Sequence, residues 1–277
     1  MLGAIIGDIA GSRFEYLEHK SKEFIFFDKK CKFTDDSVMT IAVAYALSLV
    51  EDFNDKQKLK QTVINCMKEI GQKYPHCGYG TFFKEWIFGD SKPHDSFGNG
   101  AAMRSSPVGL FCKTEIEVKK VSRIITEVSH VHQEAIKGAE ATALAVFLAK
   151  QGWYKKDIKD RLAKEYYPEL VNMNCDNIRK DYYYDVTCQG TVPQALTCFF
   201  ESCDYEDAIR NAISLGGDSD TLAAITGGVA EAYYGIPLCI KKVAMDFLDD
   251  YLKDCLKTVI NKFWFWNYNK EKIWKIQ

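Results

Sequence analysis

The chain has 277 residues, of which 47% are hydrophobic and 13% aromatic. A chain of this length buries roughly three-quarters of its unfolded surface, so this composition supplies a large core and excludes intrinsic disorder. Lysine and arginine total 36 against 38 for aspartate and glutamate, a net charge of −2, which gives no basic patch for nucleic acid or for a membrane surface. No apolar run approaches the roughly 20 residues that a bilayer-spanning helix needs.

The opening segment carries one acidic residue in apolar surroundings. Gly7 and Gly11 lie on either side of Asp8, and they predict close helix packing or a turn. No basic residue precedes this apolar segment, so it is not a secretory signal. Glu15 follows at the end of the element, where an ordinary surface glutamate and a site carboxylate both remain open. The apolar stretch 24–27 is the best strand candidate, but it is short.

Helical periodicity dominates the rest of the chain. The segments 34–50 and 133–150 are apolar on nearly all sides, which is typical of helices at the centre of a bundle. A third such helix covers 220–234 and ends at Gly235 with Pro237 just beyond, a common stop signal. Further helices are predicted near 56–73, 115–128, 154–166, 192–202, 205–214 and 237–262. We therefore predict an all-α protein.

No linker rich in proline, glycine or serine divides the sequence, so residues 1–277 are predicted to form one domain. Two long polar stretches, 74–96 and 172–190, are predicted to be functional or mobile loops. The aromatic segment 263–274 is predicted to pack its rings onto the bundle. The ten cysteines include no Cys-x-x-Cys pair, which predicts reduced, mostly buried thiols in a cytoplasmic protein.

Two acidic clusters each open a strongly apolar helix: TDD at 34–36 and DSDT at 218–221. Capping explains about one such side chain per helix, and here two carboxylates crowd each start. Four carboxylates brought together would repel one another unless a cation lay between them. Oxygen ligands without a histidine–cysteine set suit Mg²⁺ or Mn²⁺, commonly as a pair of ions. That the clusters meet in space is an inference from this chemistry.

Two weaker signals lie between these clusters. The segment 96–104 is a glycine-rich loop leading into a predicted helix, and either a phosphate cradle or a plain turn fits it. His130 lies just before the helix predicted at 133–150. A histidine in such a position is more often a hydrogen-bonded structural group than a ligand, so its interest depends on which helix it opens.

Seven segments together resemble one family, the ADP-ribosylglycohydrolases. They are GDIAGSRFE (7–15), FTDDSVMTIAVA (33–44), GYGTFFKEWI (78–87), SFGNGAAMRSSPVG (96–109), SHVHQEAIKGAEATA (129–143), CQGTVPQAL (188–196) and SLGGDSDTLAAITGGVAEAYYG (214–235). The resemblance implies a compact orthogonal helical bundle with a central metal-binding cleft that holds two Mg²⁺, or Mn²⁺. It also implies hydrolysis of the bond between ADP-ribose and a protein side chain (arginine or serine) or a related conjugate.

The resemblance also implies the site residues. The metal ligands would be Thr34, Asp35, Asp36, Asp218, Asp220 and Thr221. The substrate contacts would be Ser96, Phe97, Gly98, Asn99, Gly100, Met103, His130 and Gly216. The catalytic residues would be Asp35, Asp36 and Glu15. The partners implied are ADP-ribose conjugates, above all ADP-ribosylated proteins. The oligomeric state is not readable from the sequence, and a monomer is the default expectation.

The implied reaction is a glycoside hydrolysis that passes through an oxocarbenium-like state. The ions would hold the ribose diol and the attacking water, and Glu15 or Asp35 would act as acid or base. The acceptor stays open between arginine, serine, O-acetyl, nucleic-acid and polymer linkages, with Glu15 slightly favouring an O-linked one. A non-catalytic ADP-ribose-binding protein on the same fold is the alternative, and the six filled ligand positions count against it. A phosphatase with a D-x-D signature is disfavoured because a helix, not a strand, precedes Asp218.

Overall fold

A computed structural model describes residues 1–90 and 92–267, which form helices joined by turns and loops. The α-helices are α1 (Leu2–Gly11), α2 (Asp35–Leu49), α3 (Lys56–Gly71), α4 (Thr81–Phe88), α5 (Gly100–Met103), α6 (Ser106–Phe111), α7 (Glu115–Glu127), α8 (Gln133–Lys150), α9 (Lys155–Glu165), α10 (Cys175–Asp181), α11 (Cys188–Phe200), α12 (Tyr205–Ile213), α13 (Ser219–Tyr234), α14 (Leu238–Met245) and α15 (Asp250–Asn267). A short 3-10 helix, Pro168–Val171, follows α9. The all-α prediction is confirmed, since no β-strand occurs in the described parts of the chain.

Three helices form the centre of the bundle, as their sequences predict. α2, α8 and α13 are buried on nearly all sides, because apolar residues cover almost their whole circumference. α13 ends at Gly235, where φ is 75°, a left-handed conformation that favours glycine. α12 precedes the second acidic cluster, which excludes the strand that a D-x-D phosphatase needs.

Close backbone contact joins α1 to α13. Gly3, Gly7 and Gly11 are spaced four residues apart, so they lie on one face of α1. A Cβ on Gly7 would overlap the backbone carbonyl of Ala223, and one on Gly11 would lie 2.6 Å from the Cα of Asp220. The glycines therefore allow the end of α1 to contact the start of α13 directly.

Some connections differ from the sequence predictions. The helix predicted at 237–262 is two helices, because the side chain of Asp249 accepts a hydrogen bond from a backbone N–H in the first turn of α15 and starts a new helix there. The long segments 74–96 and 172–190 are not only loops, since they contain α4 and α10. Both helices are short, so the periodicity of their sequences is weak.

The remaining sequence predictions have mixed outcomes. The stretch 24–27 is not a strand, because the carbonyls of Lys22 and Phe24 accept hydrogen bonds from Arg210 instead of a second strand. Most cysteines are buried, as predicted. The packing of the aromatic rings at 263–274 lies outside the described side chains. In the described chain, no helix combines the length and the apolar character needed to cross a membrane.

Candidate active site

A cavity of about 520 Å³ opens where α2 and α13 begin. The segment after α1, the segment 78–83 at the start of α4 and the loops before α5 and α11 also line it. A β-bridge between Gly98 and Thr187 joins the last two loops. Most residues that the sequence points to line this cavity: Glu15, Asp35, Asp36, Ser96, Phe97, Gly98, Asn99, Gly100, Met103, His130, Asp218, Asp220 and Thr221.

Carboxylates from three elements lie close enough together to share cations. One oxygen each from Asp8, Asp36 and Asp220 lie within 4.8 Å of one another, and the same holds for Glu15, Asp218 and Asp220. Asp220 belongs to both groups, so the groups are adjacent. The two acidic helix starts, which are far apart in the sequence, therefore meet at one place.

Burial raises the pKa of the carboxyl groups in this cluster, because little water remains to solvate their charge. The pKa of Asp35 rises to about 8, with the charges of Asp8 and Asp218 adding to the effect of burial. Burial and neighbouring carboxylates also raise the pKa of Asp36 and of Asp220 well above the usual value. Carboxylates this close cannot all ionise alone, so protons or cations must neutralise them.

The donor set of the cluster fits a hard divalent cation. Oδ1 of Asp36 is buried and has no hydrogen-bond partner among the described residues, an arrangement that is costly unless a cation or a water binds the oxygen. No lysine or arginine is among the described residues that line the cavity, so no side chain there neutralises the carboxylates. The available ligand atoms are oxygens, which Mg²⁺ and Mn²⁺ prefer.

Asp8 belongs to this cluster, although the sequence patterns predict no site role for it. Its buried carboxylate accepts hydrogen bonds from the backbone N–H groups of Thr34 (2.9 Å) and Ser37 (3.0 Å) and from both hydroxyls. Burial raises the pKa of Asp8 to about 6, and these four donors limit the rise. The signal in the sequence is a lone acidic residue within an apolar helix.

Thr34 and Gly216 are predicted site residues that do not line the cavity. The Thr34 hydroxyl donates to Asp8 (2.7 Å) and accepts from the backbone N–H of Asp36 (3.3 Å), so it caps α2 behind the carboxylates. Gly216 has a φ of 75°, and a Cβ there would lie 3.1 Å from a carboxylate oxygen of Glu18. Both residues therefore lie outside the cavity.

Asn99 connects the glycine-rich loop to the acidic cluster. Its side-chain amide donates to Oδ2 of Asp218 (2.6 Å) and to the hydroxyl of Thr191 (3.1 Å). Its backbone N–H donates to the carbonyl of Val186 (2.8 Å). One residue therefore ties the start of α5 to α13, to α11 and to the loop before α11.

His130 forms part of the wall beside the same loop. A Cβ on Gly98 or Gly100 would lie 3.8 Å or 3.9 Å from its Nε2, so two residues without side chains leave open the space in front of this nitrogen. Burial lowers the pKa of His130 well below its usual value, and the charges of Arg104 and His94 add to the effect. The ring is therefore neutral at neutral pH.

Two tyrosines that no sequence motif predicts as site residues also line the cavity. The rings of Tyr16 and Tyr184 stack with their centres 5.7 Å apart, and 78% of Tyr16 is exposed. Tyr16 also hydrogen-bonds to Glu15, whose pKa is nevertheless raised, chiefly by burial. The signals in the sequence are the tyrosine next to Glu15 and the three consecutive tyrosines at 182–184.

Known proteins are similar in sequence to this chain over most of its length. A sequence model of the family described as ADP-ribosylglycohydrolase matches residues 1–265. ADP-ribosylhydrolase ARH3 of Danio rerio is 24% identical over 310 aligned positions, which cover 85% of this chain and 82% of the fish protein. The human ARH3 is 25% identical and covers 74% of this chain and 71% of its own. ADP-ribosylarginine hydrolase Tri1 of Pseudomonas putida (strain GB-1) is 24% identical, covering 88% and 73%.

A solved structure also shares the fold. The chain described as an ADP-ribosylglycohydrolase-related protein complex superposes with a TM-score of 0.65 at 21% identity, covering 95% of this chain and 96% of its own. At that identity the likeness concerns the fold alone. The family match, by contrast, spans both acidic helix starts, the glycine-rich loop and His130. The chain therefore belongs to the ADP-ribosylglycohydrolase family.

Proposed function

We propose that this chain hydrolyses the glycosidic bond between ADP-ribose and a protein side chain, arginine or serine, or a related ADP-ribose conjugate. One observation carries the proposal: the acidic starts of α2 and α13 share a cavity with Glu15 and the glycine-rich loop 96–100. The cavity volume suits a small-molecule ligand. The carboxylates of this cavity suit a sugar that is to be cleaved, and the adjoining glycine-rich loop suits a diphosphate that is to be held.

We propose two Mg²⁺ or Mn²⁺ ions as cofactors of the reaction. The proposed ligands are Thr34, Asp35, Asp36, Asp218, Asp220 and Thr221. Thr34 would have to turn its hydroxyl away from Asp8 to join them. When bound, the ions would supply positive charge that holds the ribose hydroxyls and lowers the pKa of a water molecule. The unpartnered Asp36 oxygen and the lack of a lining lysine or arginine among the described residues support this assignment.

The chain's own groups would bind and orient the substrate. The backbone N–H groups of Gly98 and Asn99 donate within the protein, so the other N–H groups of the loop 96–100, together with the neutral His130, would contact the diphosphate. Burial raises the pKa of Glu15, which makes it better suited than an exposed glutamate to pass a proton to the departing acceptor atom. Asp35 and its neighbours would stabilise the positive charge that develops on the sugar.

The names of the relatives bear on the acceptor. The Pseudomonas putida relative is named an ADP-ribosylarginine hydrolase, whereas the fish and human relatives are named ADP-ribosylhydrolases without an acceptor. Glu15 favours an O-linked acceptor, so we retain both arginine and serine. We further propose that residues 1–277 act as a single-domain monomer in the cytoplasm.

A panel of substrates tests the proposal. Arginine-linked ADP-ribose, serine-linked ADP-ribose and O-acetyl-ADP-ribose would each be incubated with Mg²⁺, Mn²⁺ or a chelator, and released ADP-ribose would be measured. We expect turnover of at least one substrate with an ion and none with the chelator. Asp218→Asn combined with Asp220→Asn should lower kcat roughly 10³-fold or more and should abolish metal binding in calorimetry.

The matched control removes two carboxylates elsewhere. Asp157 and Asp160 are exposed on α9, so Asp157→Asn combined with Asp160→Asn should leave turnover and metal binding unchanged. Unchanged turnover in the Asp218 and Asp220 variant would show that the site lies elsewhere. Tight ADP-ribose binding without turnover of any linkage would favour the non-catalytic ADP-ribose-binding alternative.

A further inference from the structure

A buried arginine lies behind the glycine-rich loop. Arg104 directly follows α5 and is 1% exposed. Its Nη1 donates to the carbonyl of Gly100 (2.8 Å), and its Nη2 donates to Oγ of Ser129 (2.7 Å). Its guanidinium carbon lies 5.0 Å from the centre of the Phe83 ring. These contacts fix the position of a cation that does not itself line the cavity.

Ser129 connects this arginine to His130. The serine oxygen lies 2.9 Å from Nδ1 of His130, and it already accepts a hydrogen bond from Arg104, which can only donate. No other acceptor for the hydroxyl proton is found among the described residues. If Nδ1 carried a proton, the hydroxyl would face two donors and its own proton would stay unpaired. The hydroxyl therefore donates to Nδ1, which puts the ring proton on Nε2.

The backbone on both sides of His130 is also fixed. The N–H of His130 donates to the carbonyl of Thr126 (2.9 Å), and the N–H of Val131 donates to the carbonyl of His94 (3.0 Å). In return, the N–H of His94 donates to the carbonyl of Ser129 (2.9 Å). With the backbone and Nδ1 both held, Nε2 has a defined direction.

We propose that Arg104 and Ser129 are positioning residues that hold His130 as the neutral Nε2–H tautomer. This Nε2–H donates a hydrogen bond to a phosphate oxygen of a nucleoside diphosphate that lies against Gly98 and Gly100. The identity of this ligand rests on the proposed function. Nε2 faces the space that the two glycines leave open. The described lining contains no lysine or arginine, and its carboxylates repel an anion. The Nε2–H of His130 and the buried positive charge of Arg104 would therefore attract the phosphate.

Two measurements on the full chain with Mg²⁺ test this relay, the chain of hydrogen bonds from Arg104 through Ser129 to His130. A long-range ¹H–¹⁵N spectrum of histidine-labelled protein, assigned with His130→Gln, reports which ring nitrogen carries the proton. Calorimetric titration with ADP-ribose reports the affinity. In the unmodified chain we expect a protonated Nε2 and a bare Nδ1 on His130. Ser129→Ala should populate the Nδ1–H form and weaken ADP-ribose binding about tenfold, whereas Ser129→Thr, which keeps the hydroxyl, should preserve both properties.

Ser122→Ala is the matched control. Ser122 is fully buried, and its hydroxyl has no hydrogen-bond partner among the described residues, so this variant should change neither measurement. A proton on Nδ1 in the unmodified chain would overturn the relay, and so would a Ser129→Ala variant with unchanged tautomer and affinity. If ADP-ribose binds as expected but no linkage is cleaved, the proposed hydrolysis fails and the relay stands. If ADP-ribose does not bind the unmodified chain, the ligand assignment is overturned and the spectrum alone decides the tautomer.

Discussion

Asp8 gathers four hydrogen-bond donors from the start of α2 around one buried carboxylate. The same carboxylate has an oxygen within 4.8 Å of oxygens from Asp36 and Asp220. The donors stabilise its negative charge, while burial and the neighbouring carboxylates oppose it. Asp8 therefore couples the packing of α1 on α2 to the cations that the cluster is proposed to hold.

Replacing Asp8 with asparagine tests this coupling. An amide must turn its NH₂ group toward one of the donors of Thr34 or Ser37, so one buried donor loses its acceptor. We expect Asp8→Asn to lower the free energy of unfolding in Mg²⁺ by about 2 kcal/mol and to weaken Mg²⁺ binding. Urea unfolding and calorimetry measure the two effects. The exposed Asp157→Asn serves as the control, and equal behaviour of the two variants would contradict the role given to Asp8.

Whether a site residue can be predicted depends on how far away its partners lie in the sequence. Asp36 and Asp220 stand out because each helix start has more carboxylates than capping requires. Asp8 and Arg104 do not, since Thr34 lies 26 residues from Asp8 and Ser129 lies 25 residues from Arg104. No local pattern indicates either contact. The Thr34 hydroxyl lies in a predicted motif, but its direction toward Asp8 depends on where α1 packs.

At the scale of elements, the contact between α1 and α13 depends on residues that lack side chains. α1 presents a glycine every fourth residue to α13, and α13 presents Gly227 to Gly3 in return. This close approach brings the end of α1 to the first turn of α13. The carboxylates carried by the two helices are near one another for that reason.

Gly7→Ala tests the contact between these helices. The added Cβ would overlap the backbone of Ala223, which cannot move as a side chain could. We expect the free energy of unfolding to fall by at least about 2 kcal/mol, together with Mg²⁺ affinity. Gly80→Ala is the control, because a Cβ there meets nothing within 4 Å. Alanine replaces glycine at the N-cap of α4, which should lower stability by no more than about 1 kcal/mol. Equal urea midpoints for the two variants would refute the packing argument.

The helices that the sequence predicts well are those that are packed against apolar neighbours on nearly all sides. α2 and α8 are apolar nearly all round, so their periodicity is visible without knowing their neighbours. α10 is short and polar, and at its N-terminus the backbone N–H of Cys175 donates to the carboxylate of Glu201, which directly follows α11. Such a helix is specified by tertiary contacts, and the segment 172–190 therefore resembles a plain loop in sequence.

At the scale of the whole molecule, net charge conceals a strong local imbalance. The chain has a net charge of only −2, yet carboxylates from the segment after α1 and from the starts of α2 and α13 share one cavity, with Asp8 of α1 close to them. Packing of α1, α2 and α13 holds these carboxyl groups together against their mutual repulsion. In consequence the folded protein without metal binds protons more tightly than the unfolded chain does.

The stabilisation that Mg²⁺ gives should therefore increase with pH. The pKa values of Asp8 and Asp35 rise from 3.8 to about 6 and about 8 on folding. Because the pKa values are raised, the folded state binds these protons more tightly than the unfolded chain, and protonation stabilises the fold. Without metal, this contribution to the free energy of unfolding is fully present below about pH 4 and is lost as the pH rises to about 8. A divalent cation must displace those protons, and it binds best where they have left.

Thermal unfolding at about pH 5, 6, 7 and 8, with Mg²⁺ or with a chelator, measures this linkage. We expect the Tm difference between the two conditions to be smallest at about pH 5 and largest at about pH 8. The Asp218→Asn and Asp220→Asn double variant should show no such difference at any pH, because its cluster lacks two of the proposed ligands. A Tm difference of the same size at about pH 5 and pH 8 in the unmodified chain would mean that the cation does not replace protons on these carboxylates, and the cation would then have to bind elsewhere.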